Sequence, residues 1–137
     1  MQDYWQTVIG RQFAAAIQML RSAVEACPDD LWDDYAHGTP FWHLAYHALF
    51  YADFYLSDDA ETFQARDFHV DKANFLPGDY QQYGGVVTTP EKAFTRVQLL
   101  EYADHDEEGR TELRVDRRRH GQSSGQSALP EHPTSGA

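Results

Sequence analysis

Residues 39–56 read TPFWHLAYHALFYADFYL, and this stretch decides the fold. Apolar and aromatic side chains fall on every face of the helix that it predicts, and Asp53 carries its only formal charge. A helix that is apolar all round is a buried helix. Thr39 is expected to cap the first turn, with Pro40 at the first helical position. The stretch is too short and too polar to cross a bilayer. It therefore predicts the central helix, over residues 40–56, of an all-α domain.

Two histidines, His43 and His47, stand four residues apart in this helix. That spacing places both imidazoles on one face, one turn apart, where they can share one metal ion. Neutral imidazole is a common ligand for zinc, nickel and iron, but a site needs at least a third ligand. The alternative is that each histidine lies in the core and hydrogen-bonds a carbonyl or a tyrosine hydroxyl. The pair by itself leaves both interpretations open.

The composition limits the classes of partner. Among 137 residues, 11 basic and 22 acidic side chains give a net charge of −11. Such a surface repels phosphate backbones and anionic lipids, which disfavours nucleic acid and membranes and favours a small molecule or another protein. The single cysteine, Cys27, excludes an intramolecular disulfide, and no charged-then-apolar leader opens the sequence. We therefore expect a cytoplasmic protein.

The residues before the central helix predict an amphipathic helix over 3–26. Its apolar positions step by three and four residues, as one face of a helix requires, and they are Trp5, Ile9, Phe13, Ile17, Leu20 and Val24. Pro28 ends this helix. Asp29 or Asp30 is then expected to cap a short turn that brings Trp32 back onto the core.

Residues 57–89 predict a long connection, because Pro77-Gly78 and Gly84-Gly85 interrupt any regular period. A loop of this length is uncommon in a compact domain unless it is functional or packs on its own aromatic side chains, of which it has several. We expect it to strap the outside of a helical bundle, with His69 on its surface.

Thr95 and Gln98 have the form of a capping box, which predicts the start of a further helix over 96–105. Beyond it the sequence is polar and rich in helix breakers, a composition typical of disorder. We therefore predict a helical domain over residues 1–105 and a polar, disordered tail over 106–137. Without a fourth core helix, one seam of the central helix is expected to lie uncovered, including the His43 and His47 face.

Several short motifs follow one another along the chain. They are Gln12-Phe13, Cys27-Pro28-Asp29-Asp30-Leu31-Trp32, above all Pro40-Phe41-Trp42-His43-Leu44-Ala45-Tyr46-His47, and later Phe94-Thr95 and Leu99-Leu100-Glu101-Tyr102. In this order they resemble the DinB/YfiT-like superfamily of small bacterial metal-binding four-helix bundles, over residues 4–103. The resemblance implies an up-and-down helical bundle with a long crossover loop after the second helix, and often a homodimer. In this chain we expect the fourth helix to be missing or replaced.

The resemblance also implies a divalent metal ion held by three histidines, one from the second helix and an H-x-x-x-H pair from the last. His43 matches the second-helix ligand, and His47 would be its neighbour or substitute. Arg119-His120-Gly121-Gln122 echoes the H-x-G-Q ending of the family's last helix, although Asp116 stands where a partner histidine is expected. The candidate metal ligands are therefore His43, His47 and His120, an incomplete set, with zinc, nickel or iron as the ion.

Two functions from different classes follow. The resemblance implies a metal-dependent enzyme of the thiol-dependent transferase or hydrolase class, acting on a small molecule or a thiol. The alternative is a non-catalytic bundle, which would be a dimerisation or binding module or an inactive truncated family member. An acid–base enzyme that pairs Asp53 with one of the two histidines has less support, because Asp53 lies off their face of the helix.

Overall fold

The computed structural model describes residues 2–57, 59–77 and 90–108, with side chains from Tyr4 onward. Helix α1 spans Gln2–Ala26, the single turn α2 spans Asp29–Trp32, and α3 spans Phe41–Leu56. A further helical segment, α4, covers residues 96–108. These described ranges contain helices and no strand, so the all-α prediction is confirmed.

The core lies where α1, α3 and α4 pack against one another. The large apolar side chains without exposed surface are Trp42, Tyr46 and Leu49 of α3, Val24 of α1, and Leu99 and Tyr102 of α4. The Tyr46 ring lies 4.5 Å from that of Phe94 and 5.9 Å from that of Tyr102, between ring centroids. Because each aromatic side chain buries about 150–250 Å², these contacts dominate the packing. The predicted buried central helix is therefore present.

The start of α3 differs from the expected capping. The helix begins at Phe41, and Pro40 is its N-cap, with φ −67° and ψ 157°. No side chain caps this end, so the predicted role of Thr39 is wrong. The Pro40 carbonyl accepts the N–H of His43 at 3.1 Å and that of Leu44 at 3.3 Å. Because the extended ψ of Pro40 moves the helix start one residue along the chain, Thr39 precedes the capping position.

Helix α4 begins at the predicted capping box. The backbone N–H of Gln98 donates to Thr95 Oγ1 at 3.1 Å, and the N–H of Thr95 donates to Gln98 Oε1 at 2.8 Å. Two N–H groups that have no partner inside the helix are thereby satisfied reciprocally. The helix continues past the predicted end at residue 105, and Asp106 is a buried part of it.

Helix α1 packs on the core with its second half. Ile17 and Val24 are buried, whereas Trp5 and Ile9 are each 58% exposed. The predicted helix is present, but its six apolar positions do not all face the core. Each step of four residues turns the side chain by about 40° around the helix, so the row drifts. After three such steps Trp5 lies about 120° away from Ile17.

Residues 59–77, which we call the strap, run across α3 without regular structure. The Tyr46 O–H donates to His69 Nδ1 at 2.5 Å, and the His69 ring stacks on Phe50 at 5.4 Å. His69 is half-buried, so its expected place on the surface is wrong. Burial lowers the pKa of His69, which keeps its Nδ1 available as an acceptor.

The strap covers the face of α3 that was expected to lie open. His43 has no exposed surface, and its Nε2 donates to the carbonyl of Ala73 at 2.9 Å. The open seam of α3 runs along a different face, where Leu44 is 47% exposed and Tyr55 is 73% exposed. The expected exposure of the His43 face is therefore wrong, because a loop rather than a helix packs on it.

The predicted tail over residues 106–137 begins inside α4, because residues 106–108 are still helical. The rest of the tail, the missing fourth helix and His120 lie beyond residue 108, outside the described ranges. They stay predictions. Among the helices that are described, none combines the length and the apolar character needed to cross a membrane.

Candidate metal centre

Three metal-ligating side chains meet where the end of α3 packs against α4. They are Asp53 of α3 with His105 and Asp106 of α4, and one ligand atom of each lies within 4.8 Å of the other two. On α4, His105 and Asp106 follow Tyr102 by three and four residues, so these three side chains share the face of α4 that meets α3. We call Asp53, His105 and Asp106 the candidate metal centre.

Asp106 is the buried member of the centre. It is 2% exposed, and neither carboxylate oxygen has a hydrogen-bond partner among the described residues. Burial raises the pKa of Asp106 to about 8; the Asp53 carboxylate adds to the rise and Arg66 opposes it. A buried carboxylate is stable only when it is protonated, paired or bound to a cation. At neutral pH the free protein therefore holds Asp106 mainly protonated, and a metal ion would replace the proton.

Tyr102 orients the Asp53 carboxylate. This tyrosine has no exposed surface, and its O–H donates to Asp53 Oδ2 at 2.9 Å. Burial raises the pKa of Tyr102, and the nearby Asp53 raises it further, so the phenol stays a donor. The other oxygen, Oδ1, lies 3.5 Å from His105 Nε2. The hydrogen bond from Tyr102 thus fixes Oδ2, while Oδ1 faces His105. Hydrogen bonds of this kind orient the ligands of metal sites.

Arg66 reaches the centre from the strap. Its Nη1 lies 3.4 Å from Nδ1 of His105. Because a guanidinium group can only donate, this contact requires the lone pair of the His105 ring on Nδ1, which leaves Nε2 on the side of Asp53. The His105 side chain is 41% exposed, so solvent reaches the centre at this residue.

The three side chains suit a divalent ion. Two carboxylates and one imidazole are ligands for zinc, iron or manganese, and three protein ligands leave a coordination position open, as catalytic sites do. With metal–ligand bonds of about 2.0–2.2 Å, ligand atoms lie at most about 4.4 Å apart. The 3.5 Å between Asp53 Oδ1 and His105 Nε2 lies within this limit.

The histidines predicted as ligands have other partners. The Nε2 of His43 donates to the Ala73 carbonyl at 2.9 Å, and the Nδ1 of His47 donates to the Asn74 carbonyl at 2.6 Å. These contacts correspond to the alternative interpretation, in which each histidine hydrogen-bonds a carbonyl group instead of binding a metal ion. Burial lowers the pKa of His43, whose Nδ1 has no partner in the described ranges. Neither histidine belongs to a described group of three metal-ligating side chains, and His120 lies outside those ranges. Metal binding by these three histidines stays a prediction.

From the sequence, the histidines expected to pair with Asp53 were those of its own helix. The structure places it beside His105 instead. One formal charge in an otherwise apolar helix was the available indication for Asp53. Asp106 was missed because the helix was predicted to end at residue 105, which left Asp106 in the predicted tail.

Comparison with protein families, with curated proteins and with solved structures gave no match to this chain.

Proposed function

We propose that this protein binds a divalent metal ion through Asp53, His105 and Asp106. The observation that carries the proposal is the Asp106 carboxyl group, which is 2% exposed and has no hydrogen-bond partner for either oxygen in the described ranges. Buried polar groups are normally hydrogen-bonded, and buried charges are paired or coordinate metals. An ion shared with Asp53 and His105 would supply the missing partner.

The activity we propose is metal-dependent and DinB-like, of the thiol-dependent transferase or hydrolase class. Its support is the resemblance of the motifs along α1, α2 and α3, together with solvent access to the centre at His105. An ion with an open position lowers the pKa of a bound water or thiol and so supplies a nucleophile at neutral pH. Zinc is the first candidate, because it accepts both carboxylate and imidazole ligands.

Isothermal titration calorimetry of the chelator-treated full chain with Zn²⁺ tests the metal site. We expect about one ion per chain, and a loss of affinity of at least about tenfold in Asp106→Asn. Glu101→Gln makes the same carboxyl-to-amide change at an exposed position on the same helix and serves as the matched control.

His43→Ala separates the two candidate sites. Unchanged affinity in this variant would place the ion at the centre formed by Asp53, His105 and Asp106. Zinc binding that is lost in His43→Ala and kept in Asp106→Asn would contradict the proposal and favour the position implied by the family resemblance.

A second candidate function, self-association as a dimerisation module, is favoured by one face of α1. Beside its core-facing side, α1 carries an exposed row without formal charge, which we call the α1 row: Trp5, Ile9, Gln12, Ala16, Met19 and Ala23. Its steps alternate between four and three residues, the spacing by which two helices pack together. Met19 is 74% exposed. The row extends about 27 Å and presents apolar surface on the order of several hundred Å², as interaction sites do.

The occupant we propose for the α1 row is a second copy of this chain. An antiparallel pairing about a twofold axis would set Trp5 opposite Ala23 and Ile9 opposite Met19, so that large side chains meet smaller or flexible ones. A chain of net charge −11 repels its own copies through charged faces. An uncharged row avoids that repulsion.

A further inference from the structure

Arg66 brings a positive charge to the candidate metal centre without a strong partner of its own there. Its contact with His105 Nδ1 is 3.4 Å long, beyond the usual range of about 2.7–3.2 Å for such bonds. Its Nε is buried and has no hydrogen-bond partner among the described residues. The guanidinium group of the free protein therefore has unused donor capacity beside Asp106.

A bound cation would remove the acceptor that His105 offers to Arg66. Histidine binds a metal through an unprotonated ring nitrogen. If Nε2 binds the ion, the ring hydrogen moves to Nδ1, and two donors then face each other. If Nδ1 binds the ion, its lone pair is no longer free. In both cases Arg66 loses His105 as an acceptor.

The net charge of the metal-loaded centre also favours a bound anion. The carboxylates of Asp53 and Asp106 neutralise a divalent ion, and a ligating His105 is neutral, so Arg66 leaves one positive charge in excess. Three protein ligands also leave a coordination position open. An anion that occupies this position would balance the charge.

Given the metal site proposed above, we propose that the loaded centre binds an oxyanion, the phosphate or carboxylate group of a small molecule. One oxygen would lie on the ion and another would accept from Arg66, whose planar fork of donors suits such groups. The exposed side of His105 leaves an approach from solvent. On a chain of net charge −11, this centre would be a locally attractive place for an anion.

The test uses the full chain loaded with Mn²⁺ and titrated with inorganic phosphate or, separately, with acetate. Bound Mn²⁺ broadens the phosphorus resonance of phosphate and the carboxyl carbon resonance of acetate, which gives both affinity and proximity to the ion. We expect saturable broadening by at least one of the two anions. Arg66→Gln should weaken anion binding by about 10- to 100-fold, because hydrogen bonds to a charged group are lost.

Two further variants make the result interpretable. Arg66→Lys keeps the charge but not the fork and should bind the anion with intermediate affinity. Arg11→Gln removes an exposed arginine from α1 and should leave anion binding unchanged. Circular dichroism of each variant reports whether it is folded. If Arg66→Gln does not fold, the anion affinity of Arg66→Lys tests the role of Arg66.

Measuring Mn²⁺ affinity on the same samples separates the two possible failures. Anion binding that falls in Arg66→Gln while Mn²⁺ affinity is kept supports the oxyanion site. Mn²⁺ binding without anion binding, or with anion binding that Arg66→Gln does not change, overturns it and leaves the metal site standing. Failure to bind Mn²⁺ and Zn²⁺ overturns both. A response to one anion alone tells phosphate from carboxylate.

Discussion

The carboxyl group of Asp106 titrates far from its ordinary range because it is buried beside Asp53. The ionisable groups facing it are Asp53 from α3, Arg66 from the strap, and Tyr102 and the neighbouring His105 of α4. An unfolded aspartate has a pKa of about 3.9, whereas Asp106 in the folded chain has a pKa of about 8. Between these values the folded state holds a proton that the unfolded state has lost. The Asp106 contribution to stability therefore falls as pH rises through this window.

Asp106→Asn should remove this dependence on pH. In chelator-treated protein, the free energy of unfolding of the unmodified chain should fall between about pH 5 and pH 8 by more than that of Asp106→Asn. Urea unfolding at several pH values measures the difference. With saturating Zn²⁺ the free energy of unfolding should instead rise with pH over this range, because the ion requires ionised Asp106. Equal pH slopes for the two metal-free proteins would contradict a raised pKa at this residue.

At the scale of the elements, an arginine of α4 holds the C-terminal end of α1. The Arg96 guanidinium group donates to the carbonyl of Val24 and, at 2.6 Å, to that of Cys27. It also pairs with Asp29 at 2.8 Å and lies over the Trp32 ring at 4.8 Å. The last carbonyls of a helix lack partners within it and favour a nearby cation. The last turn of α1 has no basic residue, so α4 supplies that charge.

Arg96→Ala should therefore lower the free energy of unfolding by about 2–3 kcal/mol, since hydrogen bonds to a charged group are lost. Arg96→Lys should recover only part of the loss, because an ammonium group cannot reach several carbonyls at once. Urea unfolding measures both, and hydrogen exchange should quicken first at the end of α1. Arg11→Ala, at an exposed position of α1, is the control. Equal stability of the Arg96→Ala and Arg11→Ala proteins would show that the contacts of Arg96 with the end of α1 do not stabilise the fold.

At the scale of the whole molecule, the α1 row should determine the oligomeric state. Ala16→Glu places a charge in the middle of the row and should convert a dimer into a monomer, because the pairing would bury two like charges. Gln18→Glu adds the same charge to an exposed position outside the row and should leave the dimer intact. Sedimentation velocity at several protein concentrations measures the outcome. A monomeric unmodified chain at all of them would contradict the dimerisation proposal.

Much of the helical layout could be predicted locally. The unbroken apolar character of residues 41–56 indicated a buried helix, and the capping box of Thr95 and Gln98 marked the start of α4. Such signals act within a few residues, so they survive in any surroundings. The site was harder to find. Asp53 was visible as a lone charge, but its neighbours on α4 lie far away along the chain.

The sequence by itself determined where α1, α3 and α4 form and that α3 is the buried one, because period, capping and composition are local properties. Tertiary structure alone decided that Asp53 meets His105, that His69 of the strap packs against α3 and that Trp5 faces solvent. These outcomes depend on how each helix is rotated about its axis and on the path of a loop without regular structure. Both are set by the sum of many contacts between distant residues, and no short pattern encodes that sum.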